Sequence, residues 1–170
     1  MTQLLLGEPV DVEENRDGWS RIRTAYDYRG WVRQDALADG TGTLTDASSY
    51  GDHVEAARSY LGAPYEWGGM TERGIDCSGL VHMAYRRSGR LVPRDAHQQE
   101  AAATPIDESE ARPGDLVCFG ESGVADHIAF WLGDGRILHA TARDGTNAVV
   151  EESLANVPER RIRFARLTIP

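Results

Sequence analysis

The chain has 170 residues, which is enough for one domain of ordinary size or for one domain that carries a smaller module. Its formal net charge of −9 opposes non-specific binding to nucleic acid or to an anionic membrane, so we expect neither partner. No segment approaches the roughly 20 apolar residues of a membrane span, and no secretion signal begins the chain, which predicts a cytoplasmic protein.

Short bursts of alternating apolar and polar residues fill the N-terminal part of the chain, and turn-forming residues separate them. This pattern is typical of short antiparallel strands, and it predicts a small all-β module over residues 1–39. Residues 40–51 are polar and contain glycine, which predicts a linker. The apolar positions of the module are Val10, Val12, Trp19, Ile22, Trp31 and Val32.

Residues 52–170 read as a second domain in which helices come first and strands follow. Apolar spacing predicts a short helix after Asp52, a second helix that begins at Cys77, and a polar third helix from His97 to Ala103. The later apolar runs predict antiparallel strands, so the fold class is α+β. The predicted strands are residues 116–119, 127–132, 136–140 and 162–167.

Cys77 stands directly after a turn-rich segment and directly before the apolar run of the second helix. A cysteine in a first helical turn feels the partial positive charge of the helix end and nearby unpaired backbone amides. Both favour the thiolate over the thiol. We therefore expect Cys77 to be a nucleophile with a lowered pKa.

Two histidines provide the groups that a thiol nucleophile needs, a base and a residue that orients the base. His127 and His139 lie six residues to either side of Gly133, which belongs to the predicted hairpin turn Gly133-Asp134-Gly135. In a regular hairpin, residues at matching distances from the turn become cross-strand neighbours. The spacing indicates His127 as the base and His139 as the orienting residue.

Five motifs, in this order, resemble those of the NlpC/P60 family of cell-wall peptide hydrolases. The resemblance implies a papain-like α+β domain in which Cys77 is the nucleophile, His127 the base and His139 the orienting residue, with Tyr65 beside the nucleophile. The motifs are Pro64-Tyr65-x-Trp67-Gly68-Gly69, Asp76-Cys77-Ser78-Gly79-Leu80-Val81, Pro113-Gly114-Asp115-Leu116, His127-Ile128-Ala129-Phe130-Trp131-Leu132-Gly133 and Ile137-Leu138-His139-Ala140.

The N-terminal segment is similar to bacterial SH3-like modules through Gly18-Trp19-x-x-Ile22 and Asp27-Tyr28-x-Gly30-Trp31-Val32. The two modules together resemble γ-D-glutamyl-L-diamino-acid endopeptidases that trim murein peptides with a free N-terminal L-Ala. That resemblance implies a small murein peptide as the partner and hydrolysis without a metal or cofactor. It makes Asp95 the residue that binds the ammonium group. The implied substrate-binding residues are Asp95, Tyr65, Ser78, Tyr28 and Glu8.

Other interpretations share some of these residues. An amidase or acyltransferase would use the same cysteine and histidines, and a non-catalytic cell-wall peptide-binding protein would keep the fold without the chemistry. The chain has no CxxC or HExxH motif, so the sequence disfavours a zinc site. Cys118 lies inside an apolar strand and is expected to fill the core, although two cysteines also allow one disulfide bridge.

Overall fold

The structure is a computed structural model that describes residues 1–44, 50–143, 145–157 and 162–168. The predicted linker, residues 40–51, falls partly outside the described residues, since 45–49 are not among them. The N-terminal part forms an antiparallel sheet of β1 (Val10–Arg16), β2 (Trp19–Thr24) and β3 (Arg29–Arg33), in that order. This confirms the prediction of short N-terminal strands.

The remaining part begins with helices, as the sequence predicts. The small strands β4 (Met70–Thr71) and β5 (Gly74–Ile75) pair just before the second helix and shape the turn that leads into it. The three helices are α1 (His53–Arg58), α2 (Cys77–Arg87) and α3 (Ala96–Ala102).

A six-stranded sheet follows, in the order β10-β9-β8-β7-β11-β6, and every neighbouring pair is antiparallel. This confirms the α+β fold class. Two strands, β6 and β10, were not predicted from the sequence. The strands are β6 (Thr104–Ile106), β7 (Leu116–Phe119), β8 (His127–Gly133), β9 (Arg136–Arg143), β10 (Thr146–Ser153) and β11 (Ile162–Arg166).

The core lies between α2 and one face of this sheet. Leu80 and Ala84, one helical turn apart on α2, are buried in the same cluster as Ile128 and Leu138 of the central strands. Cys118 is fully buried in this cluster, which confirms its expected place in the core. Cys77 and Cys118 are both free thiols, so the possible disulfide does not form.

A bulge in the β8–β9 hairpin decides which face of the sheet carries the two predicted histidines. Gly133 pairs with Arg136 across the turn, but Trp131 pairs with Ile137, so Leu132 is an extra residue on β8. Paired residues share a face, and so do alternate residues of one strand. His127 and His139 therefore lie on the same face. The regular hairpin centred on Gly133 that the sequence analysis assumed would also have placed them on one face, directly opposite each other. If the observed Gly133–Arg136 pairing continued without the bulge, Leu132 would oppose Ile137, and the two histidines would face opposite ways.

The N-terminal sheet is joined to α2 and its preceding turn by buried polar and aromatic contacts. Glu8 Oε1 lies 3.2 Å from a terminal nitrogen of Arg86, and both side chains are at most 1% exposed. Tyr26 meets the ring of His82 edge-on at 4.4 Å, and Gln3 accepts a hydrogen bond from the amide of Met70 at 2.8 Å. These contacts fix the N-terminal residues against the second domain.

Among the described residues, no helix combines the length and apolar character needed to cross a membrane.

Replacement of Glu8 tests how much the buried pair between the two parts contributes. Glu8→Ala removes the carboxylate partner of a buried guanidinium, so we expect the free energy of unfolding to fall by about 3–5 kcal/mol. Asp11→Ala is the control, because Asp11 pairs with Arg23 at an exposed site and should cost at most about 1 kcal/mol. Urea denaturation measures both; equal losses for the two variants would contradict the role of the buried pair.

Candidate active site

Asp76 caps the N-terminus of α2 and thereby positions Cys77, the first residue of the helix. Its carboxylate accepts hydrogen bonds from the amide of Gly79 at 2.6 Å and from the amide of Gly68 at 2.7 Å. An aspartate at this position satisfies amides that have no partner within the helix. The cap also ties the helix start to the turn that precedes it.

Arg94 holds the capping carboxylate from the other side. Two guanidinium nitrogens lie 3.0 Å from the two oxygens of Asp76, which is a bidentate pair in a buried setting. The same guanidinium donates to the Ser78 hydroxyl at 2.8 Å and to the Gly69 carbonyl at 3.1 Å. It also donates to the Thr2 hydroxyl at 2.9 Å. One side chain thus connects the N-terminal segment, the turn and the start of α2.

The second residue after Cys77 is a glycine because the backbone of the turn approaches the helix closely there. A Cβ atom at Gly79 would overlap the Gly69 carbonyl oxygen and crowd the Asp76 carboxylate. The Cys-Ser-Gly order of the motif therefore has a steric basis at its third position.

The Cys77 thiol is buried, with 7% of the residue exposed. Burial, and next the negative charge of Asp76, raise its pKa to about 11, while the backbone amides of Ile128 and Ser78 lower it in part. The expectation of a lowered pKa from the helix end alone is wrong, because burial penalises the thiolate and the capping carboxylate repels it. Tyr65 is near enough to feel this site: burial first, then Cys77, raises the pKa of its phenol to about 12.

The two histidines predicted to be neighbours across the hairpin, His127 and His139, are in hydrogen-bond contact. His127 Nε2 lies 2.8 Å from His139 Nδ1, and the rings cross at an interplanar angle of 74°. His139 is 1% exposed. Burial lowers its pKa, and a hydrogen bond to Glu152 acts in the opposite direction. The pair has the geometry of a base and an orienting residue.

Glu152, which the sequence analysis did not single out, continues this line of hydrogen bonds. Its Oε1 lies 2.8 Å from His139 Nε2, and its Oε2 lies 2.8 Å from a terminal nitrogen of Arg143. Glu152 belongs to β10, the strand that was not predicted. A strand over residues 146–153 would have placed Glu152 on the edge strand beside β9, so the missing signal was the strand itself.

The site opens into two adjoining lobes of one cleft. The first lobe, of about 310 Å³, contains Cys77, Ser78 and Asp95. The second lobe, of about 440 Å³, contains His127, His139 and Arg143. Both are bounded by Tyr65, Trp67 and Asp126, which therefore form their common wall.

The predicted substrate-binding residues are distributed unevenly around this cleft. Asp95, Tyr65 and Ser78 line the first lobe, and Met1 from the N-terminal segment lines it as well. Tyr28 lines a neighbouring cavity of about 280 Å³ between β3 and residues 1–4. Burial and then the charge of Asp95 raise the pKa of its phenol, so it lies within electrostatic reach of the cleft.

Glu8 is the exception among the predicted substrate-binding residues. Its side chain is 0% exposed and paired with Arg86, so the structure places it in the contact between the two parts and not in the cleft. In the part of the chain that the structure describes, no group of three or more His, Cys, Asp and Glu side chains is arranged to hold a metal ion.

Residues 62–161 match the NlpC/P60 family, and residues 1–37 match the bacterial dipeptidyl-peptidase SH3 domain. The chain belongs to the NlpC/P60 family. This confirms the family resemblance of both parts that the sequence indicated.

Two curated relatives are each named a gamma-D-glutamyl-L-lysine dipeptidyl-peptidase. The Bacillus subtilis protein is 30% identical over 135 residues, which cover 78% of this chain and 44% of the relative. The Bacillus cereus protein is 34% identical over 92 residues, which cover 52% of this chain and 28% of the relative. The chain spans about half or less of the length of the curated relatives named here.

A solved structure of an NlpC/P60 family protein from Bacillus cereus superposes with a TM-score of 0.61 at 25% identity. The superposition covers 92% of this chain and 52% of that protein. The similarity therefore extends over both the N-terminal sheet and the second domain.

The Arg94 contacts yield a test of what holds the start of α2. Arg94→Met keeps much of the side-chain volume but leaves the buried Asp76 carboxylate without its cation, so we expect a loss of at least about 3 kcal/mol in the free energy of unfolding. Arg33→Met serves as the control, since Arg33 pairs with Asp35 at the surface. Thermal unfolding compares the two; an Arg94→Met protein as stable as the control would show that Asp76 does not depend on this pair.

Proposed function

We propose that the protein is a cysteine peptidase that hydrolyses the γ-D-glutamyl–diamino acid bond of murein peptides carrying a free N-terminal L-Ala. The observation that carries the proposal is the cleft itself: a thiol and a hydrogen-bonded histidine pair occupy adjoining lobes with a common wall. The names of the Bacillus relatives support the substrate class, because lysine is a diamino acid.

In this reaction His127 accepts the proton of Cys77, and the thiolate attacks the γ-carbonyl of D-Glu. In this proposal the backbone amides at the start of α2 that Asp76 does not occupy stabilise the oxyanion. His127 then protonates the amine of the diamino acid as it leaves, and water hydrolyses the thioester. A resting thiol with a raised pKa suits this order, because the proton leaves only when an adjacent base takes it.

Recognition of the free amine is assigned to the first lobe. Asp95 lines it, and so does Met1 of the N-terminal segment. A carboxylate in a confined lobe binds an ammonium group and leaves an amide-linked L-Ala without a partner. Uncut wall polymer, in which that nitrogen is acylated, would therefore be rejected.

The amine role is tested with L-Ala-γ-D-Glu-diaminopimelate and its N-acetylated form. We expect the protein to cleave the free peptide at least about tenfold faster, because a charged hydrogen bond contributes about 1.5–3 kcal/mol. Asp95→Asn should reduce this preference mainly through the free peptide. Asp107→Asn is a matched control, since Asp107 also precedes a short helical turn but does not line either lobe.

Each outcome of this assay has a distinct meaning. Equal cleavage of both peptides by the parent protein would contradict amine recognition, and cleavage of neither would contradict the substrate class. Turnover by Cys77→Ala at the parent rate would contradict the thiol mechanism.

The role of His127 is tested by the rate at which iodoacetamide alkylates Cys77, measured in a Cys118→Ala background. A thiol with a pKa of about 11 is roughly one part in ten thousand thiolate at pH 7, and the fraction rises tenfold per pH unit below that pKa. We expect this steep, alkaline profile in both proteins, with an additional reaction near pH 7 in the parent, where His127 takes the proton as the thiol attacks, and loss of that additional reaction in His127→Ala. Coincident profiles would show that His127 does not activate the thiol.

A further inference from the structure

The carboxylate of Glu152, which is hydrogen-bonded to His139, has little conformational freedom. His139 and Arg143 lie on the same face of β9, and Glu152 reaches them from β10, where Val150 directly opposes His139. The side chains of His139 and Glu152 are 1% and 11% exposed. Arg143 also donates to the Asn156 carbonyl at 3.2 Å, which fixes its guanidinium against Glu152.

The hydrogen bonds of Glu152 keep its carboxyl group ionised. Burial alone would raise its pKa, but the bonds from Arg143, His139 and Asn156 outweigh burial and lower it to about 2. An ionised carboxylate only accepts hydrogen bonds, so the proton between Glu152 and His139 must be on His139 Nε2.

The tautomer of His139 in turn determines the tautomer of His127. A neutral His139 with its proton on Nε2 has an accepting Nδ1, and the nitrogen that lies 2.8 Å away, His127 Nε2, must then donate. A neutral His127 with its proton on Nε2 has an accepting Nδ1. An accepting nitrogen is what a base needs in order to take a proton from a thiol.

We propose that Glu152, held by Arg143, is a positioning residue that sets the tautomer of both histidines and so keeps His127 Nδ1 free of a proton. The proposal rests on the proposed function, in which His127 is the base. Glu152 does not contact the reacting atoms in this scheme, and it acts through His139.

The tautomers are measured directly, without turnover, by ¹⁵N NMR of the parent protein labelled at histidine. We expect His127 and His139 both to carry their proton on Nε2 near neutral pH, with the two signals assigned from His127→Gln and His139→Gln samples. Protonation of His139 on Nδ1 would overturn the proposal. The spectrum decides this even if the protein cleaves none of the peptides tested, so failure of the proposed function is distinguishable.

Glu152→Gln tests the consequence for catalysis. The amide keeps the shape of the side chain but can donate to His139 Nε2, which favours the reversed tautomers. With L-Ala-γ-D-Glu-diaminopimelate we expect kcat to fall about a hundredfold or more, with KM changed less than about threefold. A reversed ¹⁵N pattern should accompany the loss. An unchanged kcat, or an unchanged pattern, would overturn the proposal.

Glu151→Gln is the matched control for this variant. Glu151 precedes Glu152 on β10 and pairs with Arg58 and Arg136, away from the histidines. We expect it to keep the parent kcat and the parent ¹⁵N pattern. A loss equal to that of Glu152→Gln would mean that any lost ion pair on β10 has the same effect, and the proposal would fall.

The pH profile of kcat/KM is a further test, because a purely structural role of Glu152 would not change it. The charged and titratable groups that face this line are Arg143 on β9, Asp126 before β8, and Tyr65 and Cys77 across the wall of the cleft. Loss of the Glu152 charge should shift the acid limb to lower pH, because an imidazolium loses its carboxylate partner. An acid limb that stays in place would contradict the assignment.

Discussion

The buried pair of Asp76 and Arg94 is the interaction on which the rest of the site depends. Asp76 alone would cap α2, but its carboxylate is nearly enclosed and would be costly without a cation. Arg94 supplies the cation and uses its remaining donors on the turn, on Ser78 and on the N-terminal segment. One guanidinium consequently connects the helix start that carries the thiol, the turn before it and the N-terminal segment that lines the first lobe.

Burial first, and then the capping carboxylate of Asp76, raise the pKa of Cys77, so it is a protonated thiol at rest. A helix end stabilises an anion through its unpaired amides, but here the Asp76 carboxylate already accepts from one of them, the amide of Gly79. The protein therefore gains a rigid helix start at the cost of a less acidic cysteine. In the proposed reaction, activation of the thiol therefore depends on the two histidines of the neighbouring strands, which Glu152 and Arg143 hold through hydrogen bonds at the far end.

Sequence reasoning succeeded where the signal was local. The start of α2 at Cys77, the N-terminal strands and the central apolar strands follow from spacing and turn residues, and the structure has each of them. It failed where an effect depends on burial or on pairing between distant segments. The pKa of Cys77 depends on how much water the fold excludes. The buried position of Glu8 depends on the contact that α2 offers it. The position of Glu152 depends on β10, a strand whose apolar alternation is weak. His127 and His139 were brought together correctly, although the regular register centred on Gly133 that was assumed for them differs from the bulged register of the structure.

That hairpin sets a limit on how the protein tolerates changes in length. Most surface loops tolerate an added or lost residue, because the side chains of the adjoining strands stay on the same face of the sheet. Inside the paired part of β8 this tolerance is absent, because a residue lost between His127 and Trp131 would turn His127 toward the α2 core and an apolar neighbour toward the cleft. Loss of Leu132 has a different result, since it removes the bulge and leaves the pairs Trp131–Ile137 and Gly133–Arg136 in place. The position of a change in length, and not its size alone, therefore decides whether the two histidines still share a face.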